Sequence, residues 1–288
     1  MTRRLEGKPV ADKIYKRISE LIDHNLERKG RPPHLVIFYA QDNEESCIYV
    51  GKKVQACEKH GIKCTTIALS YAAPYHAIRE MVYAEGRKRD VDGIIIQLPL
   101  LPVSHWQIQE LIDCIHPDKD VDGLTTSSAG YLYKGKRIMW RIPATAKAVM
   151  AILQHYDIQT EGRRVVILGR SELVGKPLAH ILSASEYDAT VTLCHSKTKW
   201  NHRVKLLRNA DIVISAVGKP HFIKSSNASN ACIIDAGISK TPEGIKGDVE
   251  WDYGYLRTPV PGGVGPVTVA CLLENVVLRW SYTDEALY

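Results

Sequence analysis

The sequence predicts an α/β protein made of two β/α domains, the second with a Rossmann-like parallel sheet. Short apolar strands alternate with helical patterns along the 288 residues, and this alternation is typical of parallel sheets. Glycine turns follow several of these strands, as they do where a sheet leads into phosphate-binding helices. The length suits two domains, and 45% hydrophobic with 24% charged residues is typical of a soluble globular protein.

The first half of the chain, 1–142, contains the elements of a complete β/α domain. Apolar residues at helical spacing predict an amphipathic helix over 9–29, which ends near Gly30 and the two prolines after it. Short apolar runs predict three strands: 35–40, 64–69 and 91–98. Further helices are expected at 46–59, 75–88 and 104–115, and the last leads into a polar loop at 116–123.

The second half predicts another sheet, which we assign to a domain at 143–266. A helix over 143–156 precedes it. Apolar runs followed by turn residues then predict four strands: 165–168, 189–194, 210–216 and 231–236. After the glycine-rich loop 259–266, an apolar last helix starts at 267, and we expect the segment 267–288 to complete the first domain.

The turn after the strand 165–168 is suited to a nucleotide phosphate. Gly169 allows a tight turn, and Gly175 with Pro177 suits the start of a helix, whose N-terminus attracts anions. The spacing G-x-S-x-x-x-G differs from the usual dinucleotide fingerprint G-x-G-x-x-G. It also differs from a P-loop, because five residues separate Gly169 from Gly175-Lys176 and Pro177 stands where Ser or Thr is required. We therefore exclude an NTPase.

The end of the strand 189–194 favours NADP over NAD. NAD-binding chains usually place an acidic residue there to hold the ribose 2′-hydroxyl, whereas this chain has His195-Ser196-Lys197-Thr198. Arg170 projects from the glycine turn, and together with Ser196 it could hold a 2′-phosphate. From the turn alone, Arg170 is as well explained as a solvent-exposed loop arginine as by a role in binding phosphate.

Composition excludes several classes of protein. The net charge of +6 comes from 38 basic and 32 acidic residues mixed throughout, so a solvated basic surface is favoured over nucleic-acid binding. Seven cysteines without a C-x-x-C pair indicate reduced core thiols in a cytoplasmic protein. No apolar run approaches the roughly 20 residues that span a bilayer, and no Cys/His spacing predicts a metal site.

Polar residues in the first half form a second candidate site. Tyr49 and Lys53 are four residues apart and share one helix face, although such pairs are common on exposed helices. Gln97 ends an apolar strand, where open α/β sheets bind ligands. The acidic loop 118–123 is a further candidate, with a solvated turn as the equal alternative.

These motifs together resemble the methylenetetrahydrofolate dehydrogenase/cyclohydrolase family, usually called FolD. The resemblance covers nearly the whole chain. Its motifs, in order, are SCIYVGKK (46–53), DGIIIQLPL (92–100), DKDVDGL (118–124), GRSELVGKP (169–177), CHSKT (194–198), ADIVISAVGKP (210–220) and TPVPGGVGPVT (258–268). The family oxidises 5,10-methylenetetrahydrofolate with NADP+ and then hydrolyses the methenyl product to 10-formyltetrahydrofolate.

The resemblance implies a folate site in a cleft between the two domains. Lys53 would be the central catalytic group, Gln97 would orient it, and Tyr49 would stack on the folate. Asp122 would bind the edge of the pterin, because a carboxylate can accept two hydrogen bonds from an N–H pair. The resemblance also gives further substrate-binding positions: Leu98, Pro99, Pro261, Gly262 and Gly263.

The remaining positions implied by the resemblance belong to the NADP site. They are Gly169, Arg170, Ser171, Val174, Gly175, Pro177, His195, Ser196, Thr198, Ala216, Val217, Gly218, Ile238 and Thr268. The resemblance and the apolar second sheet further predict a homodimer, with tetrahydrofolate derivatives as small-molecule substrates and neither nucleic acid nor membrane as a partner.

Several positions depart from the family pattern. Ala144, Ala146 and Lys147 stand in a segment that commonly reads P-C-T-P-x-G, Tyr131 replaces a usual Arg, and Val267 replaces a usual Met. A divergent paralogue that binds folate and nucleotide without full activity is therefore one alternative. A dehydrogenase of another small acid, such as shikimate, is the other.

Overall fold

Two parallel sheets form the framework of the computed structural model, which describes residues 3–100, 105–136, 138–224, 228, 231–250 and 256–282. The chain divides into two compact units. One comprises Met1–Lys13 and Thr145–Cys271, and the other comprises Ile14–Ala144 and Leu272–Tyr288. The predicted α/β class with parallel sheets is confirmed.

A three-stranded sheet forms the framework of the unit that comprises Ile14–Ala144 and Leu272–Tyr288. Its strand order is β3-β2-β4, and both pairs of strands are parallel. Its strands are β2 (His34–Ala40), β3 (Lys63–Leu69) and β4 (Gly93–Ile96). The helices after these strands are α2 (Glu44–Lys59), α3 (Tyr75–Arg87), α4 (His105–Ile112) and α5 (Thr126–Tyr133). Val36, Phe38 and Ile94 form a core with Ile78 and Leu111 from the helices.

The other unit carries a six-stranded sheet in the order β1-β11-β8-β7-β5-β6, with every pair parallel. These strands are β1 (Arg3–Arg4), β5 (Arg164–Leu168), β6 (Thr190–Cys194), β7 (Ile212–Ser215), β8 (Cys232–Asp235) and β11 (Leu256–Arg257). An antiparallel pair, β9 (Ser239–Thr241) and β10 (Gly244–Lys246), follows β8. The helices between strands are α6 (Ala144–His155), α7 (Gly175–Ser183) and α8 (Trp200–Asn209).

Two long helices, α1 (Gly7–Lys29) and α9 (Val264–Ser281), complete the described secondary structure, with short 3₁₀ turns at Pro117–Lys119 and Met139–Arg141. The helix predicted from residue 267 therefore begins three residues earlier, and the glycine-rich loop is correspondingly shorter. The start of the helix predicted at 46 is also earlier, because Asn43 caps α2 by accepting a hydrogen bond from the Ser46 amide at 2.8 Å. The residues predicted for the end of the last helix, 283–288, lie outside the described part of the chain.

Sequence analysis missed β1, β11 and the β9–β10 pair, as well as the helices α5 and α8. These four strands have two or three residues each, too few positions to show a period. The domain boundaries proposed from the sequence, 1–142 and 143–266, stay a prediction.

Candidate active site

Lys53 and Gln97 meet at the end of the three-stranded sheet. Lys53 lies on α2, and its Nζ donates a hydrogen bond to the Gln97 Oε1 at 2.8 Å. Gln97 follows β4 directly, and its side-chain amide donates to the carbonyl of Leu98 at 2.7 Å. Because the amide is held at both ends, the orientation of Gln97 is fixed and presents an oxygen to the lysine.

Burial and a neighbouring carboxylate act on the pKa of Lys53 in opposite directions. Desolvation lowers the pKa of its ammonium, and the nearby Asp122 carboxylate opposes this effect. Burial in turn raises the pKa of Asp122, and the Lys53 charge opposes that rise. The two side chains therefore share one desolvated environment, in which both depart from their ordinary titration.

The acidic loop 118–123 uses its three carboxylates differently. Asp120 is 1% exposed and accepts hydrogen bonds from Thr125 and Ser128, which fix the start of α5. Asp118 pairs with the Arg141 guanidinium. Asp122 is left facing Lys53 and makes no side-chain hydrogen bond with a described residue. The alternative interpretation of this loop as a solvated turn is therefore wrong for Asp120, which is a buried anchor.

Tyr49 lies one turn before Lys53 on α2 and is half-buried. Burial raises the pKa of its hydroxyl, with Glu45 adding to the effect. The ammonium of Lys52 lies 5.8 Å from the centre of the Tyr49 ring. Because both residues are helical, Tyr49 and Lys53 share one face of α2 at their i, i+4 spacing.

Leu98 and Pro99 form the turn after Gln97 and are joined by a cis peptide bond. The Ser46 hydroxyl, which is fully buried, donates to the Pro99 carbonyl at 2.9 Å and ties this turn to the start of α2. The structure therefore brings Leu98 and Pro99 beside the segment that carries Tyr49 and Lys53.

Three further predicted substrate positions, Pro261, Gly262 and Gly263, belong to the other unit. Gly262 has φ +104°, and its carbonyl accepts a hydrogen bond from the Gly7 amide at 2.7 Å. A Cβ at Gly263 would overlap the Pro259 carbonyl oxygen. These glycines are therefore required by the backbone of the loop itself, whatever the loop binds.

The glycine turn after β5 has the close packing that a phosphate-binding turn needs. A Cβ on Gly175 would overlap the Gly169 carbonyl, and Gly169 itself has φ +110° against the Ala216 carbonyl. The Ser171 Oγ accepts from the Val174 amide at 3.3 Å and so closes the turn. The N-terminus of α7 therefore points its dipole at a small cradle of backbone, with Pro177 buried in its first turn.

The residues after β6 form a second turn that the sequence assigns to the cofactor. The Thr198 Oγ1 accepts from the His195 amide at 3.0 Å, and the Thr198 amide donates to the His195 carbonyl at 2.9 Å. Ser196 is exposed between them, and Arg170 is exposed on the turn after β5. The described turn contains no carboxylate, which suits a 2′-phosphate better than a free hydroxyl.

A buried pair of carboxylates, which sequence analysis missed, holds the third turn of this site. Asp248 is fully buried and accepts hydrogen bonds from the Ser215 hydroxyl at 2.7 Å and from the amides of Val217 and Lys219 at 2.7 and 2.8 Å. These donors flank Gly218, which has φ +69°. Asp248 therefore fixes the loop of Ala216, Val217 and Gly218 after β7.

Asp235, at the end of β8, holds Asp248 in turn. Its carboxylate accepts from the amides of Gly237, Asp248 and Val249 at 3.0 to 3.2 Å. Burial raises the pKa of Asp235 to about 6, and the Asp248 charge adds to this rise. A Cβ on Gly237 would overlap the Asp248 carboxylate, so this glycine is required by close packing.

Two predicted cofactor positions lie elsewhere in the same unit. Ile238 is 39% exposed after β8, as an apolar side chain available to a ligand would be. The Thr268 hydroxyl donates to the Val264 carbonyl within α9 at 3.1 Å. The Ile238 carbonyl lies beside the turn after β7, 3.6 Å from where a Cβ on Gly218 would be.

Known proteins confirm the assignment suggested by these sites. Family models named tetrahydrofolate dehydrogenase/cyclohydrolase match the chain, the catalytic domain over residues 5–122 and the NAD(P)-binding domain over 143–284. The chain belongs to the tetrahydrofolate dehydrogenase/cyclohydrolase family. The family resemblance, the enzyme class and the NADP cofactor predicted from the sequence are thereby confirmed, and the shikimate-type alternative is set aside.

Individual relatives agree over nearly the full length. The bifunctional protein FolD of Bdellovibrio bacteriovorus is 38% identical over 278 residues, covering 94% of each chain. The crystal structure of the bifunctional FolD enzyme from Campylobacter jejuni matches with a TM-score of 0.90 and 34% identity, covering 97% of this chain and 99% of that one. The Trypanosoma brucei FolD enzyme, solved with NADP and an inhibitor, matches with a TM-score of 0.89 and 32% identity, covering 97% of both chains.

Two further observations concern what the described residues lack. No group of three or more His, Cys, Asp or Glu side chains among them is arranged to hold a metal ion. Among the same residues, no helix has the length and apolar character needed to cross a membrane.

Proposed function

We propose that this chain oxidises 5,10-methylenetetrahydrofolate with NADP+ and hydrolyses the methenyl product to 10-formyltetrahydrofolate, with Lys53 as the group at the centre of both steps. The observation that carries this proposal is the hydrogen bond of Lys53 to Gln97 beside Asp122, in a setting where burial lowers the lysine pKa. Domains at 1–142, completed by 267–288, and at 143–266 would bind folate and NADP respectively.

Lys53 acts as the base for hydrolysis. To accept a proton near neutral pH, its pKa must fall well below the ordinary value for a lysine. Burial supplies this direction, and a cationic methenyl substrate strengthens it by like-charge repulsion. Water then adds to the methenyl carbon while its proton passes to Lys53, and cleavage of one carbon–nitrogen bond leaves the formyl product.

Gln97 and Asp122 position the reactants. Gln97 directs the Lys53 amine through its fixed amide oxygen. The Asp122 side chain makes no hydrogen bond with a described residue, so its carboxylate can accept an N–H pair of the pterin. Tyr49 offers its ring for stacking on the folate, with Leu98 and Pro99 beside it. We also assign Pro261, Gly262 and Gly263 to substrate binding.

The NADP site fits the residues that form its three turns. The cradle at Gly175 excludes any side chain and suits a pyrophosphate against the N-terminus of α7. Bound NADP+ supplies the hydride acceptor. Arg170 and Ser196 would hold its 2′-phosphate, so replacement of Arg170 by Ala should raise the KM for NADP+ while leaving that for NAD+ unchanged. Equal changes for both cofactors would exclude this role.

Replacement of Lys53 by Met tests the central proposal. We expect enzyme-dependent decay of methenyltetrahydrofolate to be lost while NADP+ binding, followed by fluorescence, is retained. Lys59→Met is the matched control, because Lys59 is an exposed lysine at the end of the same helix. Full hydrolysis by the Lys53 variant would refute the proposal, and no activity in the unmodified protein would favour a divergent paralogue that only binds these ligands.

We further propose a homodimer in the cytoplasm. The seven cysteines all lie in the described part of the chain and none forms a disulfide, which suits a reducing compartment. The dimer rests on the family resemblance and on the apolar sheet of the cofactor-binding part. Solution scattering should give twice the chain mass of 32.2 kDa, and a monomeric mass would exclude the dimer.

A further inference from the structure

A cavity of about 1590 Å³ opens in the unit Ile14–Ala144 with Leu272–Tyr288, away from the residues assigned to folate. Val91 and Asp92 line it, and they precede β4, whose other end leads to Gln97. The cavity therefore lies at the opposite end of the parallel sheet from Lys53. Its size exceeds the 300–1,000 Å³ that is usual for a site for one small ligand.

The lining of this cavity is strongly basic. Eight cationic side chains contribute to it: Arg28, Lys29, Arg31, Arg79, Arg87, Arg89, Lys119 and Arg279. Four acidic side chains also line it: Glu80, Asp92, Asp113 and Asp118. The balance of charge in the lining therefore favours an anion.

Three of the four acids already have partners. Asp92 binds Arg31 through both carboxylate oxygens, at 2.6 and 2.9 Å. Asp113 accepts from the amide and hydroxyl of Thr126 at 2.6 and 2.7 Å, which fixes the start of α5. Asp118 pairs with an arginine outside the lining. With all four acids counted against the eight cationic residues, the lining keeps a formal excess of four positive charges.

Three of the lining arginines are exposed to solvent, and one of them, Arg87, also contacts Tyr83. Arg79, Arg87 and Arg89 are exposed at the cavity, and neither Arg79 nor Arg89 forms an ion pair with a described residue. Arg79, Tyr83 and Arg87 follow one face of α3 at i, i+4 and i+8, so their side chains form one row along the helix. The Arg87 guanidinium lies 4.6 Å from the centre of that ring.

Less exposed lining residues, Lys29, Lys119 and Trp280, also contribute positive charge and a hydrogen-bond donor that has no acceptor among the described residues. The pKa of Lys119 is lowered by burial and by the nearby arginines, and that of Lys29 is lowered in the same way. Trp280 is 1% exposed, and its indole N–H has no acceptor in the described structure. An anion in the cavity would relieve the repulsion among these cations.

We propose that this cavity binds the phosphate chain of an oligophosphate, free or as part of a nucleotide, through Arg79, Arg87 and Arg89. Planar guanidinium groups bind phosphate oxygens in pairs, so several arginines around one cavity suit adjacent phosphates. Single-stranded nucleic acid is disfavoured, because it requires a row of aromatic platforms for stacking. Two exposed rings occur among the described lining residues, Tyr83 and the imidazole of His116, and Arg87 already covers the first.

Calorimetry at low ionic strength tests the proposal with the whole protein saturated with NADP+, so that the cofactor site is closed to other phosphates. Inorganic triphosphate and ATP are titrated in separate experiments. We expect saturable binding of at least triphosphate at one site. A higher affinity for ATP would assign the site to a nucleotide, and equal affinities would assign it to the phosphate chain alone.

The double variant Arg79→Gln/Arg87→Gln should weaken binding at least about tenfold, since each loses a charge-assisted hydrogen bond. Arg163→Gln/Arg208→Gln is the matched control, because it removes the same charge from exposed positions of the other unit. Its affinity should be unchanged, as should methenyl hydrolysis by both variants. A variant that ends at Tyr282, and so lacks residues 283–288, should bind triphosphate with unchanged affinity.

Four results would overturn the proposal. They are no binding of either phosphate at millimolar concentration, equal loss of affinity in both double variants, binding that occurs only without NADP+, and tighter binding of a single-stranded oligonucleotide than of triphosphate. Because methenyl hydrolysis is measured separately, a failure of this proposal is distinguishable from a failure of the proposed catalytic function.

Discussion

Replacement of Asp248 by Asn should loosen the third turn of the proposed NADP site. The carboxylate accepts three hydrogen bonds, from Ser215, Val217 and Lys219, at 2.7 to 2.8 Å. Its two oxygens divide these donors, with two on one oxygen and one on the other. An asparagine keeps a single acceptor oxygen, so at least one donor would face an NH₂ group.

The expected loss of stability follows from these contacts. One unsatisfied donor costs about 1–3 kcal/mol, and loss of the negative charge weakens each remaining hydrogen bond by about 1 kcal/mol. Removing the repulsion between Asp248 and Asp235 returns about 1 kcal/mol. We therefore expect the free energy of unfolding to fall by about 2–4 kcal/mol, as measured by urea denaturation.

The same substitution should raise the KM for NADP+, because the displaced amides belong to the loop that holds the cofactor. If about 1 kcal/mol of the loss falls on cofactor binding, the KM rises about fivefold. Asp211→Asn is the control: Asp211 lies before β7, at its opposite end, and pairs with Arg164 at 3.0 Å near the surface. That change should cost about 1 kcal/mol or less and leave the KM unchanged.

A KM for NADP+ that stays constant in Asp248→Asn, despite the lower stability, would refute the reasoning. The carboxylate would then be a structural anchor with no effect on the cofactor loop. An equal rise of KM in Asp211→Asn would refute it as well, since the effect would then follow the loss of any carboxylate from this sheet.

Two further predictions concern titration and positioning. Gln97→Leu should slow methenyl hydrolysis about tenfold or more. Gln97→Glu should move the pH optimum of hydrolysis upward, because a carboxylate raises the pKa of Lys53 and delays its deprotonation. If both variants have the same pH profile, the contact of residue 97 with Lys53 is excluded. The pKa of Asp235 is raised to about 6 in the folded state, so its contribution to stability is present at low pH and is lost as pH rises from about 4 to 6. Relative to Asp235→Asn, the unmodified protein should lose up to about 3 kcal/mol over this range in denaturation experiments, and parallel curves would contradict the assignment.

The sequence predicted the structure correctly where a residue pattern is typical of a single kind of element. Apolar β-branched runs predicted the strands around the glycine turn, and the turn itself is confirmed by the close approach of Gly175 to the Gly169 carbonyl. Lys53 and Gln97 were predicted as candidates on separate elements. Their hydrogen bond could not be derived from spacing, because it joins a helix to the end of a strand 44 positions later in the chain.

Three acids in the loop 118–123 show why the rest could not be predicted. Asp118, Asp120 and Asp122 are identical in side chain and two positions apart, yet one pairs with an arginine, one anchors α5 and one faces Lys53. The difference comes from burial and from the partners supplied by distant segments. The sequence therefore shows where the three acidic residues are, but the role of each depends on the folded structure.

Asp235 and Asp248 extend the same argument to the cofactor site. Asp235 occurs at the end of an apolar strand, a position where a carboxylate is usually a ligand contact, and Asp248 lies in a segment without periodicity. Each instead satisfies backbone amides inside the protein. Since a buried carboxylate is expensive unless its hydrogen bonds are complete, the pair can persist only if the loop that supplies the amides keeps its shape. The two carboxylates therefore make the geometry of the Val217–Gly218 loop a condition of stability, and this is why a substitution at a position that no ligand touches is expected to change the binding of NADP+.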